Sequence, residues 1–489
     1  MQTNAPTTAS EKYLAKLCRG SFLSLWSWPN LYRDQKSVGG KDGKEVCDLL
    51  VVCDPHVIIF SDKYCEFPDR GNLALDWSRW FKRAVLKSAD QVWGAERWLR
   101  KYPNRIFLNR ECTAPLPIKL PPRERAVFHR IVVAHGSGER CRREHGGTGS
   151  LMIVPGVTGS NHCDQASPNF RPFTIGRIDP PKGYVHVIDD FTLDALLLTL
   201  DTVTDFAEYL EKKELLIESG KLGAAAGEEE LLAYYLREVD DSGRHYFAMP
   251  HDSDRIFLAE GHWDAFQRHP QRIAQREANS GSYAWDGLIE KFSKHLLEGT
   301  QYLSGGSIEE QEVVFRFLAR ETRFRRRILS KALAGLLVLG DSNPRATRWL
   351  LPFAPGEPYY LFLSLKPVPE LPYAEYRNMR MWLLRTLCLS FKIKFQGAED
   401  IIGLATEPFS HPERSEDFVY VDGRGLTSEM LADVEKERSA LGLMTKMRTF
   451  EFHESDYPLF QGDSLPEGNS RNMPCYCGSG RKYRKCCGS

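Results

Sequence analysis

Four cysteines fall between residues 475 and 487: Cys475 and Cys477 are one residue apart, eight residues follow, and Cys486 and Cys487 are adjacent. A segment this short cannot bury a core, so its shape must come from coordination. Zn²⁺ held by four thiolates at roughly 2.3 Å supplies folding energy that apolar burial cannot. The spacing therefore predicts a small knuckle that folds on zinc. A disulfide framework fits less well, because the other cysteines are scattered and Met1 to Ser10 lacks the apolar core of an export signal. No stretch approaches the roughly 18 apolar residues of a membrane span, and a cytoplasmic location is expected.

The tail reads Pro474-Cys475-Tyr476-Cys477-Gly478-Ser479-Gly480-Arg481-Lys482-Tyr483-Arg484-Lys485-Cys486-Cys487-Gly488. It resembles the SEC-C motif, the zinc tail first known from the SecA translocase motor. The resemblance implies a structural Zn²⁺ at Cys475, Cys477, Cys486 and Cys487, and a docking role toward a protein or ribosomal partner. A purely structural zinc cap is the other reading. Arg471, Arg481, Lys482, Arg484 and Lys485 make the tail basic, with no acid from Asn469 to Ser489, so it can meet phosphates or an acidic protein surface. Tyr476 and Tyr483 add stacking faces.

The chain of 489 residues is long enough for two or three cores. Lys plus Arg balance Asp plus Glu at 65 each, so any basic surface must be local. The patterning predicts a multidomain α/β and α+β chain. Residues 1–190 read as an α/β domain with its core at 10–115, residues 191–345 as mainly helical, and 346–460 as a small α+β unit. A linker at 461–474, with a span on the order of 20 Å, leads to the zinc tail at 475–489. Within the first domain the elements are a helix at Glu11 to Cys18, a hairpin at Val46 to Lys63, a helix from Trp77 to Lys101 and a strand at Arg105 to Leu108. Further strands are expected at Arg130 to Ala134 and Gly183 to Ile188, separated by a Gly- and Ser-rich surface loop from Gly136 to Pro168.

The hairpin carries the main chemical suggestion. If Pro55 and His56 form a two-residue loop, Asp48 faces Lys63; if the loop has three residues, Asp48 faces Asp62. Either pairing sets a carboxylate beside a lysine or second carboxylate at the open end of an otherwise apolar hairpin. Metal-dependent phosphodiester hydrolysis needs such a grouping, with carboxylates to hold Mg²⁺ and a lysine to orient water or stabilise phosphate charge. At heptad spacing Trp77, Phe81, Ala84, Ser88, Gln91, Ala95 and Trp98 form one stripe, which predicts Gln91 on the buried, sheet-facing side. A cross-strand ion pair of little energetic weight is the bland alternative.

The order helix, hairpin, helix, strand resembles the PD-(D/E)XK nucleases, especially their Mrr-like branch, over roughly the first 115 residues. This implies a restriction-endonuclease-like α/β domain in which Asp48 binds Mg²⁺ or Mn²⁺, Lys63 is the catalytic lysine, Gln91 is the glutamine of the following helix and Glu11 is the acid of the first helix. Ser61 stands where the family carries Glu or Asp. Either a neighbour such as Asp62, Glu45, Glu66 or Glu96 supplies the carboxylate, or the site is dead. The implied function is a nucleic-acid hydrolase, in company that suits bacterial defence against foreign DNA. The alternative is a non-catalytic adaptor that binds a protein, chaperone or ribosome through its zinc tail.

Other polar groups have plainer readings. His135, Cys141, His145, His162 and Cys163 match no ligand spacing and read as scattered loop residues. His186 reads as a satisfied sheet histidine, and Asp189, Asp190, Asp201 and Asp205 as turn and helix-start residues. Arg320, Arg323, Arg325, Arg326 and Arg327 could bind phosphates; a solvated helix face is the simpler expectation.

Overall fold

The computed structural model describes residues 6–34, 43–240, 243–301, 307–445, 447–449 and 454–458. The chain divides into two compact units, one of residues 1–277, 286–323 and 457–489, the other of 278–285 and 324–456.

The larger unit begins with α1 (Ala9–Phe22), whose Thr8 side chain and Glu11 carboxylate cap each other's backbone. Then come β1 (Ser27–Arg33), β2 (Lys44–Cys53) and β3 (His56–Tyr64). The long helix is continuous from Leu73 to Lys101 but consists of α2 (Leu73–Phe81), a π turn over Lys82–Leu86, and α3 (Lys87–Lys101). No strand forms at 105–108, where Phe107 makes only isolated bridges to Tyr32 and Pro115. The next strand is β4 (Val127–His135), followed by α4 (Gly138–His145), β5 (Met152–Thr158), β6 (Thr174–Arg177), β7 (His186–Ile188), α5 (Asp190–Leu197) and α6 (Val203–Glu218). The Gly-rich stretch expected to be a loop thus contains a helix and a strand.

Five strands form a mixed sheet in the order β1-β2-β3-β4-β7, antiparallel through the first three and parallel through the last three. Side chains alternate across a strand, so consecutive residues of β3 serve opposite faces. Phe60 packs with Phe22 of α1 and Phe206 of α6 on one face. On the other, Ser61 meets Gln91 of α3, and Arg130 of β4 pairs with Glu96 of α3. A second sheet, β6-β5-β8-β9, uses two short strands that periodicity did not reveal, β8 (Leu222–Ala225) and β9 (Ile256–Leu258). Four-residue and three-residue strands are too short to show an alternation. The helices α7 (Glu228–Tyr235), α8 (His262–Arg268), α9 (Pro270–Asn279), α10 (Tyr283–Glu298), α11 (Ile308–Ala319) and α12 (Arg323–Ser342) make the middle of the chain mainly helical.

The smaller unit has the sheet β10-β11-β12-β13, with β10 at Arg345–Leu350, β11 at Tyr359–Leu365, β12 at Asp400–Thr406 and β13 at Glu416–Asp422. The helix α13 (Tyr373–Lys394) lies on it, and α14 (Ser428–Ala440) follows. Leu384 and Cys388 of α13 approach Gly403 so closely that a Cβ there would meet the Cys388 sulfur at 2.7 Å, which is why glycine occupies the middle of β12. At one end of this interface Arg380, fully buried, pairs with Glu407 and Asp417, each through a contact of 2.6 Å.

The arginine cluster is not a solvated face. Arg323, Arg325, Arg326 and Arg327 are all buried, and only Arg320 is exposed. Arg323 pairs with Asp201 and Asp286; Arg325 donates to the Leu351 carbonyl and lies over Phe353; Arg327 donates to backbone carbonyls of residues 455 and 456. Guanidinium groups tolerate this because their forked donors can be satisfied by carboxylates, carbonyls and aromatic faces together.

Candidate active site at the hairpin

Strand pairing settles the register of the hairpin, and it is neither of the expected ones. Cys53 pairs with His56 and Leu49 with Phe60, so Asp54 and Pro55 are the loop. Proline has no N–H to give a central ladder, whereas His56 can join one. Continued by one residue, this register sets Asp48 opposite Ser61, with Lys63 two residues further along the same face.

Asp48 is half-buried, and its Oδ2 accepts the backbone N–H of Asp62 at 2.6 Å. Burial, joined by the negative charges of Glu45, Asp62 and Glu11 and only partly opposed by that N–H, pushes the Asp48 carboxyl up to about 7. The Ser61 hydroxyl donates to Gln91 Oε1 at 3.2 Å, so α3 and β3 do meet here. Gln91 itself is exposed at the rim rather than buried in the stripe. The wider π turn advances the helical phase: beyond it Ser88 and Ala95 of the stripe stay buried, while Val92 and Leu99 take the places expected of Gln91 and Trp98. Lys63 is exposed, as is Lys87, one turn before Gln91 on the same helix face.

Asp62 turns its carboxylate to the opposite face. There Oδ1 meets His135 Nε2 at 2.5 Å, and His135 Nδ1 contacts Asp190, whose other oxygen accepts the Gly136 N–H. Burial works against charge on His135, but Asp190 and Asp62 outweigh it and raise the imidazole to about 9. His135 thus ends β4 buried between two carboxylates, Asp62 on the inner side and the exposed Asp190 on the outer, rather than lying in a loop. Glu11 spends its carboxylate on the cap of α1; burial alone would raise it, and hydrogen bonds from Thr7 and Thr8 hold it below the ordinary value. Glu96 is engaged by Arg130 and Arg100. Glu45, raised by burial and by Glu11, is the remaining acid that shares the field of Asp48.

Among the described residues no set of three His, Cys, Asp or Glu donors converges on Asp48. The donors here fit a cation bound through one carboxylate and completed by water and substrate phosphate, which is how Mg²⁺ is commonly held, and not an all-protein cage.

The remaining expected groups are dispersed. His162 is buried, accepts the Gly176 N–H and stacks on Phe81; Cys141 is buried in α4; Cys163 contacts the Ser78 carbonyl; His145 ends α4. Asp189 caps α5, Asp205 lies in the first turn of α6, and Asp201 pairs with Arg323.

Residues 471–489 match the SEC-C motif. This motif is of zinc-binding type, and the match includes Cys475, Cys477, Cys486 and Cys487, which lie outside the described residues. No curated protein and no solved structure matches the chain. Among the described residues no helix is long and apolar enough to cross a membrane.

Proposed function

We propose that the chain hydrolyses nucleic-acid phosphodiesters with Mg²⁺ or Mn²⁺ at the Asp48 end of the hairpin, and that the SEC-C tail is a Zn²⁺-folded docking element. The observation that carries this reading is the Asp48 carboxyl, pushed up to about 7 among other acids and placed on the strand face that Lys63 shares. A divalent cation offsets the burial and the neighbouring negative charge that raise it. The order α1, β1, the β2–β3 hairpin, the continuous helix α2–α3 and β4 supports the PD-(D/E)XK resemblance, with β1 an added strand and β4 taking the place expected of residues 105–108.

In this reading Asp48 holds the cation, which supplies Lewis-acid charge to the phosphoryl oxygens. Asp62 fixes Asp48 through its N–H. Lys63 and Lys87 draw in the phosphate, and Lys63 orients the attacking water. Ser61, held by Gln91, occupies the position of the family's second acid without its charge. Cytoplasmic defence against foreign nucleic acid suits such a combination. The competing reading is an adaptor that docks a protein or ribosomal partner through the tail; the SEC-C match is what favours it.

Purified protein incubated with linear duplex DNA, single-stranded DNA and RNA in Mg²⁺ or Mn²⁺ is expected to cleave at least one, and Asp48→Ala is expected to abolish that cleavage. Absence of cleavage on all substrates, or cleavage that survives Asp48→Ala, would favour the adaptor.

A further inference from the structure

At the opposite end of β3 from Lys63, three elements converge on one point. His56 opens β3, His129 lies on β4 in register with Ile58, and Glu211 projects from α6. His56 and Ile58 share a face of the sheet, so both imidazoles stand on the side that α6 covers. His56 Nδ1 lies 3.2 Å from His129 Nε2 and 3.5 Å from Glu211 Oε1, and His129 Nε2 lies 3.9 Å from Glu211 Oε1. The circle through these three atoms has a radius of about 2.1 Å, the distance at which Zn²⁺ binds imidazole nitrogen and carboxylate oxygen.

We propose that His56, His129 and Glu211 form a binding site for a first-row divalent cation of the Zn²⁺ class, separate from the Asp48 site and from the cysteine tail.

Protein contacts alone leave this cluster poorly satisfied. One N–H···N bond between the two imidazoles uses a single donor, and Glu211 is at or beyond hydrogen-bond reach of both rings. His129 is 1% exposed, and its Nδ1 has no hydrogen-bond partner. The His129 Nε2 that would ligate has the His56 ring at 3.2 Å as its hydrogen-bond partner, a contact that a shared cation would replace. The neighbouring His186 and Glu214, which form a second possible set with His129, already meet each other at 2.8 Å. In the first set the carboxylate is not closed onto either imidazole at such a distance.

Electrostatics agree with the geometry. Burial, aided by Arg320, lowers His56 to about 4, and burial holds His129 well below the ordinary range, so both imidazoles are neutral as ligands must be. Burial and Glu214 raise Glu211, a shift that a cation would reverse. Two imidazoles and one carboxylate suit Zn²⁺, Fe²⁺, Co²⁺ or Ni²⁺ better than Mg²⁺. The Glu211 side chain is 41% exposed, so solvent can reach the coordination positions that the protein leaves open. Lys63 is seven residues along β3 from His56, a separation of roughly 23 Å.

The test uses the full chain with Cys475, Cys477, Cys486 and Cys487 all changed to Ser, so that the tail holds no metal. Stripped of metal and titrated with Zn²⁺ and with Co²⁺ in a calorimeter, this chain is expected to bind one equivalent, and Co²⁺ is expected to show visible bands without thiolate charge transfer. His56→Gln and Glu211→Gln, each checked for an unchanged far-ultraviolet spectrum and melting curve, are expected to weaken binding at least 100-fold. Binding of neither metal by the four-serine chain, or equal affinity in both Gln variants, would overturn the site. Neither outcome depends on whether the Asp48 site cleaves nucleic acid.

Discussion

Replacing Asp48 by Asn should stabilise the protein, and the effect should depend on pH in a defined direction. An aspartate in the unfolded chain loses its proton near pH 3.9, whereas folded Asp48 holds it up to about 7. Between these values the unfolded chain is ionised at this residue and the folded chain is not, so folding takes up a proton. Stability contributed by Asp48 is therefore highest below pH 4 and falls as pH rises to about 7, then stays low. Three units at about 1.4 kcal/mol each set a ceiling near 4 kcal/mol; partial solvent contact reduces this to about 2–4 kcal/mol. Asn cannot ionise, yet its Oδ1 can still accept the Asp62 N–H. For a unit of roughly 350 residues, unfolding entropy converts the gain to about 3–5 °C. Thermal melts of wild type and Asp48→Asn from pH 4 to pH 8.5 should coincide at the acid end, diverge as pH rises from about 4 to about 7 and stay apart above that, with the variant higher. Millimolar Mg²⁺ should raise the wild type alone. A variant that melts lower at pH 8, or one whose curve tracks the wild type throughout, would refute the claim that Asp48 is a strained carboxylate awaiting a cation.

Two further outcomes follow from the same physics. Arg380→Ala leaves Glu407 and Asp417 buried without their cation and should cost about 3–5 kcal/mol, on the order of 10 °C in the melting of residues 324–456; a change under 2 °C would show that the triad is solvated in solution. Changing Cys486 and Cys487 to Ser should remove one zinc per chain by elemental analysis and abolish thiolate-to-cobalt absorption in the Co²⁺ form, whereas unchanged zinc content would exclude the tail as a zinc site.

Long, regular elements were legible in the sequence. The hairpin and the helix through 101 carry sustained apolar patterns, and their bounds fall within a few residues of those expected. What was not legible depends on single residues or on distant partners. The register turned on whether Pro55 or His56 closed the loop, a choice of one residue that changes the partner of Asp48. The position of Gln91 turned on a π turn, which no apolar period announces. The arginines at 323–327 look solvated by composition and are buried because Asp201, Asp286, Leu351 and residues 455–456, far away in sequence, come to meet them. His56, His129 and Glu211 share no sequence spacing at all; only the parallel pairing of β3 with β4 under α6 brings them together. The one local signal was a histidine on the inward parity of each strand, together with Glu211 and Glu214 one turn apart on an amphipathic helix.

Lys63 is the exposed cation that shares a strand face with Asp48. The decisive measurement is the single-turnover cleavage rate of wild type and Lys63→Ala on the preferred nucleic acid in saturating Mg²⁺ or Mn²⁺. The proposed chemistry predicts a loss of about 100-fold or more with substrate binding weakened far less, as expected when charge stabilisation in the transition state is removed. Equal rates for the two proteins would contradict it.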